Sequence, residues 1–239
     1  MSILTITYEF EFQNGKKFVY PLKLDKKTIS LIPERTSPLP SWTKLDHYPC
    51  DGCPLLEKEE PYCPIAVNIS SLIEHFKEVK STETVRITVY TKERNYWREG
   101  PVQKGLSSIF GIIMATSNCP IMNFLKPMAR FHLPFSTDEE TIVRSVSMYL
   151  LGQYLIAKKR GQSDLSLDLL DRAYSMVQKV NQGICTRISS VIRESKSQGD
   201  ASSNAVVILD SFSKLLQTEI EEGLESFASL FEGIPFFKE

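Results

Sequence analysis

The chain has 239 residues, of which 42% are hydrophobic and 24% are charged, as in a globular protein with a sizeable core. Its formal net charge of -1 lacks the excess of positive charge with which proteins bind nucleic acid or anionic membranes, so neither partner is expected. No signal peptide is recognisable, and the apolar-rich stretch 142–156 is too short and too polar to span a membrane.

We therefore expect a cytoplasmic protein. The cytosol is reducing, and the five cysteines are an odd number, so a disulfide framework is not expected.

Residues 4–32 are predicted to form a β-meander. Apolar and polar side chains alternate over residues 6–12, which is the period of a half-buried strand. Asn14-Gly15 is typical of a tight hairpin turn, after which the chain returns. Residues 28–32 are predicted as a third strand. Pro21 cannot donate a ladder hydrogen bond, so the second strand is expected at a sheet edge or at a bulge.

The segment 33–64 contains seven prolines, which leave little room for a helix or a central strand. A loop of this length inside a compact domain needs something to organise it. Three of the five cysteines lie here. Beyond it, the spacing predicts a short helix over 68–79 and two strands over 85–90 and 95–98.

The second half of the chain has helical spacing from Val102 onward. Ser136 and Glu139 are predicted to form a capping box at the start of a long helix. A seven-residue apolar repeat over 170–191 predicts a packed helix seam. A polar loop over 193–204 is then expected before a last helix.

Together these patterns predict an α+β fold, with a small N-terminal antiparallel β-rich region that contains one short helix, followed by a C-terminal helical bundle. The β-rich region is assigned to residues 1–100, including the proline and cysteine loop 33–64, and the helical region to residues 101–239. We expect the two to form one integrated unit that is pinned by a cysteine site.

Four of the five cysteines share a pattern. Cys50, Cys53 and Cys63 form C-x2-C-x9-C, and Cys119 follows at a distance. A two-residue gap lets one tight turn direct two sulfurs at the same centre, and Gly52 can adopt the positive φ of such a turn. Thiolates are soft ligands that suit zinc and iron–sulfur clusters. The four cysteines are therefore predicted to form one metal site.

The pattern leaves the metal open between an iron–sulfur cluster and zinc. Cys53, Cys63 and Cys119 each precede a proline, and the bacterial ferredoxin motif also ends in Cys-Pro. Proline has no N–H to donate to a sulfur, which favours iron–sulfur. Zinc, in turn, is the usual ion of structural four-cysteine sites.

Other interpretations of these residues stay open. His47 and His132 are alternative imidazole ligands. A second interpretation is that the C-x-x-C motif forms a thiol redox pair, although no βαβ pattern surrounds it. Inert buried cysteines are a third, and Cys185 is interpreted in this way.

Four segments carry a resemblance that covers nearly the whole chain. They are SWTKLDHYPCDGCPL (41–55), YCPIAVN (62–68), GLSSIFGIIMATSNCP (105–120) and LKPMARFHLPF (125–135). Their C-x-x-C-P-L, Y-C-P-I-A, M-A-T-S-x-C-P and M-A-R-F-H-L-P motifs resemble those of an uncharacterised family of bacterial proteins with no established activity. Asn118 stands where that family has glycine, and asparagine also tolerates the left-handed backbone conformation. The resemblance implies that the four cysteines belong together.

The sequence contains no P-loop, dinucleotide-binding, zincin or nucleophile-elbow motif, and no catalytic residue is predicted. The leading hypothesis is a cytoplasmic metal-binding protein whose four-cysteine site is structural or senses redox state or iron. An unknown protein partner, or self-association through the helical region, is expected. The alternatives are an interaction module with a structural zinc staple and a thiol-dependent or cluster-dependent redox enzyme.

Overall fold

The computed structural model describes residues 2–33 and 38–233. Its strands are β1 (Ile3–Phe12), β2 (Lys17–Asp25), β3 (Thr84–Tyr90) and β4 (Asn95–Pro101). Its helices are α1 (Pro64–Phe76), α2 (Val102–Thr116), α3 (Lys126–Arg130), α4 (Asp138–Arg160), α5 (Asp168–Glu194) and α6 (Ala201–Glu221), with short 3-10 helices at Ser41–Thr43, Asn123–Leu125 and Glu225–Phe231. A four-stranded sheet followed by a helical region confirms the predicted α+β fold. Within the described residues, no helix is both long and apolar enough to cross a membrane.

The sheet is antiparallel, with strand order β2-β1-β3-β4. Pro21 therefore lies on an edge strand, as predicted. The predicted third strand over 28–32 is wrong, because only Leu31 forms an isolated bridge, with Leu24. The Asp25 carboxylate accepts the Thr28 N–H at 2.8 Å and so fixes a turn, and the Leu31 N–H donates to the Thr116 carbonyl of α2. The chain is thereby directed away from the sheet and toward the helices.

One face of the sheet carries the core beneath α1 and α2. Tyr8 and Phe10 of β1 are fully buried, and the Phe10 ring meets the Phe76 ring of α1 edge-on at 5.1 Å between centroids. Burying each such side chain contributes about 1.5–3 kcal/mol to the free energy of folding. The alternation over 6–12 thus determines which face of β1 receives the helices.

Three helix boundaries differ from prediction. Helix α1 begins at Pro64, earlier than residue 68, because proline suits the first helical position. The capping box of α4 lies one residue after the predicted pair, where Thr137 and Glu140 exchange hydrogen bonds of 3.1 and 2.8 Å. Helix α6 begins at Ala201, inside the predicted loop, because the Gly199 and Ala201 N–H groups bond to the end of the α1 region.

Helix α5 confirms the predicted seam. Leu170, Val177, Ile184 and other apolar residues form its buried stripe. The same helix also buries three polar residues, Asn181, Arg187 and Ser190, of which Asn181 and Arg187 are each 1% exposed. Their burial is unusual and needs a physical explanation, because charged and amide side chains are normally buried only with partners.

Arg187 anchors the proline-rich loop to α5. One terminal guanidinium nitrogen donates to the carbonyls of Trp42 and Lys44 at 2.9 and 2.7 Å, and the other donates to the Leu45 carbonyl at 2.9 Å. Trp42 and Leu45 are themselves buried in the core. The loop thus has an organiser of its own, which the sequence analysis did not identify.

A second polar link joins the sheet to the helical region. The Tyr8 hydroxyl lies 2.7 Å from Ser108 Oγ in α2 and 2.6 Å from Nε2 of His132. We assign Ser108 as donor to Tyr8 and Tyr8 as donor to an unprotonated His132 Nε2. Contacts therefore cross the predicted boundary at residue 100, while the division into regions 1–100 and 101–239 itself stays a prediction.

Replacement of Arg187 by methionine is predicted to lower the free energy of unfolding by about 3 kcal/mol or more, because three buried carbonyls lose a charged donor. The matched control is Arg172→Met on the exposed side of the same helix, which should change stability by less than about 0.5 kcal/mol. Urea denaturation of both variants measures the difference. Equal stability of the two variants would contradict the anchoring role.

The stability of the protein is predicted to fall in acid through His132. Burial, aided by the nearby Arg144 charge, lowers the pKa of His132 to about 3. The unfolded chain therefore binds the proton first, near the ordinary histidine pKa of about 6.5. The free energy of unfolding should decline as the pH falls from about 6.5 toward 3, and His132→Gln should decline less. Parallel pH profiles for the two proteins would count against this assignment.

Candidate functional site

Cys50 and Cys53 lie on one tight turn. The Cys53 N–H donates to the Cys50 carbonyl at 3.0 Å, and Gly52 has a φ of +73°, in the left-handed region that glycine adopts readily. The predicted turn is thus present, and both thiols are partly exposed. The two sulfurs belong to one short piece of backbone.

This turn packs against α5. The Cys50 thiol lies 3.9 Å from the Val180 carbonyl, and Lys179 pairs with Asp51 at 2.7 Å. A Cβ atom on Gly183 would come within 2.5 Å of Cys50 Sγ and 3.1 Å of Cys50 Cα. The close approach of the turn to the helix therefore requires glycine at position 183.

Cys63 lies at the N-terminus of α1. It is the N-cap residue before Pro64, and its N–H donates to the Thr43 carbonyl at 2.8 Å. An isolated bridge between Lys44 and Tyr62 joins the same two stretches of the loop. Cys63 is therefore held beside the backbone that Arg187 anchors, and its side chain is buried.

Cys119 follows α2 and is also buried. Asn118 has a φ of +62°, as expected for an asparagine that replaces glycine in this turn. The Met122 N–H donates to the Cys119 carbonyl at 3.0 Å. The nearby backbone N–H groups of Met122 and Ile121 lower the pKa of the Cys119 thiol, against the larger effect of burial. The choice between iron–sulfur and zinc stays a prediction.

The four thiols lie within electrostatic range of one another. Burial, together with the smaller effect of the neighbouring Cys63, Cys53 and Cys119, raises the pKa of Cys50 to about 12, and Arg187 opposes this rise. Burial likewise raises the pKa of Cys119, with Cys63 and Cys53 adding to the effect. Three separate segments of the chain thus bring the predicted cysteines into one neighbourhood.

The sulfurs do not form a closed coordination shell. Across residues 2–33 and 38–233, no three or more His, Cys, Asp or Glu side chains are arranged to hold a metal ion. The cysteines are described as free thiols. The four sulfurs lie near enough to influence one another's pKa, but they are not positioned as the ligands of one metal ion.

The two alternative ligands have other partners. His47 Nε2 lies 2.9 Å from Ser190 Oγ of α5, and His132 is bonded to Tyr8 at the sheet. Cys185 is separate from the four cysteines, and the groups that influence its pKa are Ser189 and Asp210, not the other thiols. Neither histidine is among the groups that influence Cys50 or Cys119.

Sequence reasoning missed Arg187 and Gly183, the two α5 residues that hold the cysteine loop. A signal for Arg187 was present, because it falls in the apolar stripe of α5 among Val180, Ile184 and Ile188. A charged residue in a buried stripe indicates a specific partner. No signal marks Gly183, whose importance depends on which loop packs against it.

Comparison with known proteins gives one match. Residues 6–232 match a family described as "Domain of unknown function (DUF6901)". No curated protein and no solved structure shows significant similarity to the chain. Because the match extends over nearly all of the 239 residues, the chain belongs to the DUF6901 family, in agreement with the uncharacterised family that the sequence motifs indicated.

Proposed function

We propose that this is a metal-binding protein in which Cys50, Cys53, Cys63 and Cys119 together bind one zinc ion or one iron–sulfur cluster. The role of the site is structural or sensing, and no catalytic residue is assigned. The observation that carries the proposal is the gathering of four thiols from three chain segments beside the buried Arg187. Four thiolates are a complete ligand set for either centre.

The charge of Arg187 supports this proposal. In the part of the chain that the structure describes, Arg187 has carbonyl partners but no ion pair with a carboxylate. A buried cation without a counter-charge is costly. Four thiolates around a divalent ion carry a net negative charge, so metal binding would supply the missing counter-charge near Cys50.

The acidity of the thiols argues against the enzyme alternative. Reactive cysteines have lowered pKa values, whereas burial raises the pKa of both Cys50 and Cys119. Such thiols stay protonated at neutral pH unless a metal displaces the proton. The environment therefore suits a metal ligand better than a nucleophile or a redox-active thiol.

The proposal includes a local rearrangement on binding. Cys63 and Cys119 are buried, whereas Cys50 and Cys53 are partly exposed on the turn against α5. Rotation about the Cα–Cβ bonds, with a small shift of the turn, would bring the sulfurs together. Because the exposed pair lies on a surface turn, loss of the metal would release residues 50–53 first, which is the change that a sensor needs.

An interaction module is the second candidate function, and one surface favours it. The C-terminal part of α4 and the segment that follows expose a series of large apolar side chains: Leu151, Tyr154, Leu155, Ile156, Leu165 and Leu169. Exposed apolar patches of this kind commonly mark protein contacts. In this alternative, the metal site serves only to stabilise the fold.

Anaerobically purified protein is predicted to contain about one zinc ion or one iron–sulfur cluster per chain, and Cys119→Ser should lose most of it. Elemental analysis and the visible absorption spectrum, recorded on the same sample, distinguish the metals. The matched control is Cys185→Ser, which removes a thiol outside the group and should retain the metal.

Two results would contradict the proposal. Wild-type protein without zinc or iron would exclude the metal site in both candidate functions and leave only an interaction module without a metal. If Cys119→Ser keeps its full metal content, and competition with a chelator shows an unchanged affinity for the metal, Cys119 is excluded as a ligand.

Gly183→Ala is predicted to weaken metal binding, because the added methyl group displaces Cys50 from α5. Alanine has the higher helix propensity by about 1 kcal/mol, so a loss cannot come from the helix itself. Gly152→Ala is the control, since a Cβ there has nothing within 4 Å and should stabilise α4 slightly. Chelator competition and thermal unfolding of both variants test this, and equal metal affinities would show that Cys50 does not need its present position.

A further inference from the structure

A cavity of about 230 Å³ lies among α2, α3, α5, α6 and the start of α4, apart from the cysteine group. Most of its wall is apolar and includes thioether and aromatic side chains: Met114, Met122, Met128, Phe135, Leu209 and Phe212. Methionine side chains adapt to the shape of a bound molecule. The cavity is smaller than the pockets of about 300–1,000 Å³ that hold drug-sized ligands, which limits its occupant to a compact molecule.

One buried amide in this wall has no hydrogen-bond partner within the described part of the chain. Asn181 of α5 lines the cavity and is 1% exposed. Within the described residues, neither its side-chain nitrogen nor its side-chain oxygen makes a hydrogen bond. Leaving a buried donor and a buried acceptor unsatisfied costs about 1–3 kcal/mol for each group. Native proteins rarely keep such a group without a use.

The other buried side chains of the wall that carry a hydroxyl group differ from Asn181, because each has a hydrogen-bond partner. The Tyr174 hydroxyl bonds to Ser145 Oγ at 2.6 Å, and the Ser107 and Ser213 hydroxyls donate to the carbonyls of their own helices at 3.0 and 2.9 Å. The fold thus satisfies these groups internally. The Asn181 amide is left for a partner inside the cavity.

We propose that this cavity binds a small, largely apolar molecule that carries a carboxamide or lactam group, which pairs with the Asn181 amide. A primary amide presents one donor and one acceptor side by side, so it is matched by a group with an adjacent acceptor and donor. The apolar wall suits a single ring or a short branched chain. This site does not rest on the metal-binding function.

The charges in the wall narrow the ligand class further. Arg98, Lys104 and Arg144 outnumber the one acidic residue, Asp138. A cationic molecule would meet repulsion here, so the ligand is neutral or anionic. Carboxamides and lactams are neutral at physiological pH and satisfy this condition.

The test uses two probes of similar shape, benzamide and acetophenone, which share the phenyl ring and the carbonyl but differ in the amide donor. Binding to the full-length protein is followed through the methyl resonances of Met114, Met122 and Met128 by NMR titration. Benzamide is expected to bind at least about fivefold more tightly than acetophenone, since it makes one more hydrogen bond.

Two variants complete the test. Asn181→Leu should weaken benzamide binding about tenfold while leaving the stability of the free protein unchanged or higher, because it removes an unsatisfied amide. Gln182→Leu, on the exposed side of the same helix, should bind benzamide like the wild type.

Three results would overturn the proposal. One is equal affinity for the two probes in the wild-type protein, which needs no variant to fold. Another is unchanged benzamide affinity in Asn181→Leu. The last is that benzamide does not bind the wild-type protein and that Asn181→Leu is less stable than the wild type. This result would mean that the Asn181 amide only holds a structural water molecule.

Discussion

The fold around the candidate site depends on one buried charge. The Arg187 guanidinium holds the carbonyls of Trp42, Lys44 and Leu45, in a loop whose described part has no other regular secondary structure than a 3-10 turn at Ser41–Thr43 and the isolated Lys44–Tyr62 bridge. Hydrogen bonds from a charged donor contribute about 1.5–3 kcal/mol each. They fix the start of the loop on α5, and this places the turn of Cys50 and the N-terminus of α1 on the same side of the molecule.

Helix α5 connects the two candidate sites. Val180 and Gly183 face Cys50, whereas Val177 and Asn181 line the cavity. The turn after Cys119 is shared in the same way, because the Met122 N–H donates to the Cys119 carbonyl while the Met122 side chain lines the cavity. The two sites therefore share α5 and the turn after Cys119, and Asn181 in the cavity has no hydrogen-bond partner among the described residues.

Much of the fold follows from local patterns in the sequence. Alternation over residues 6–12 predicts β1, and Pro21 correctly predicts an edge strand. The start of α4 differs by one residue because Ser136-Thr137 and Glu139-Glu140 offer two overlapping capping boxes. The predicted strand over 28–32 was wrong because the Asp25 side chain fixes a turn there, and this context overrides β propensity.

The four-cysteine site stays a prediction, and the sequence indicated its members by two different signals. The spacing of Cys50, Cys53 and Cys63 indicated a shared centre, and the distant Cys119 was added on its Cys-Pro context and the family resemblance. The roles of Arg187 and Asn181 could not be predicted, because they depend on which groups pack against α5. The periodicity of a sequence indicates only that a helix face is buried. Polar residues in the buried stripe of a long helix are the signal that would have drawn attention to them.

X-ray absorption spectroscopy of anaerobically purified protein tests the central claim most directly, because it counts the ligands around the metal. Four sulfur neighbours at about 2.3 Å from zinc, or the sulfur shell of an iron–sulfur cluster with nearby iron, is the result that we predict. A metal surrounded by oxygen or nitrogen, or no bound metal at all, would contradict the four-cysteine centre.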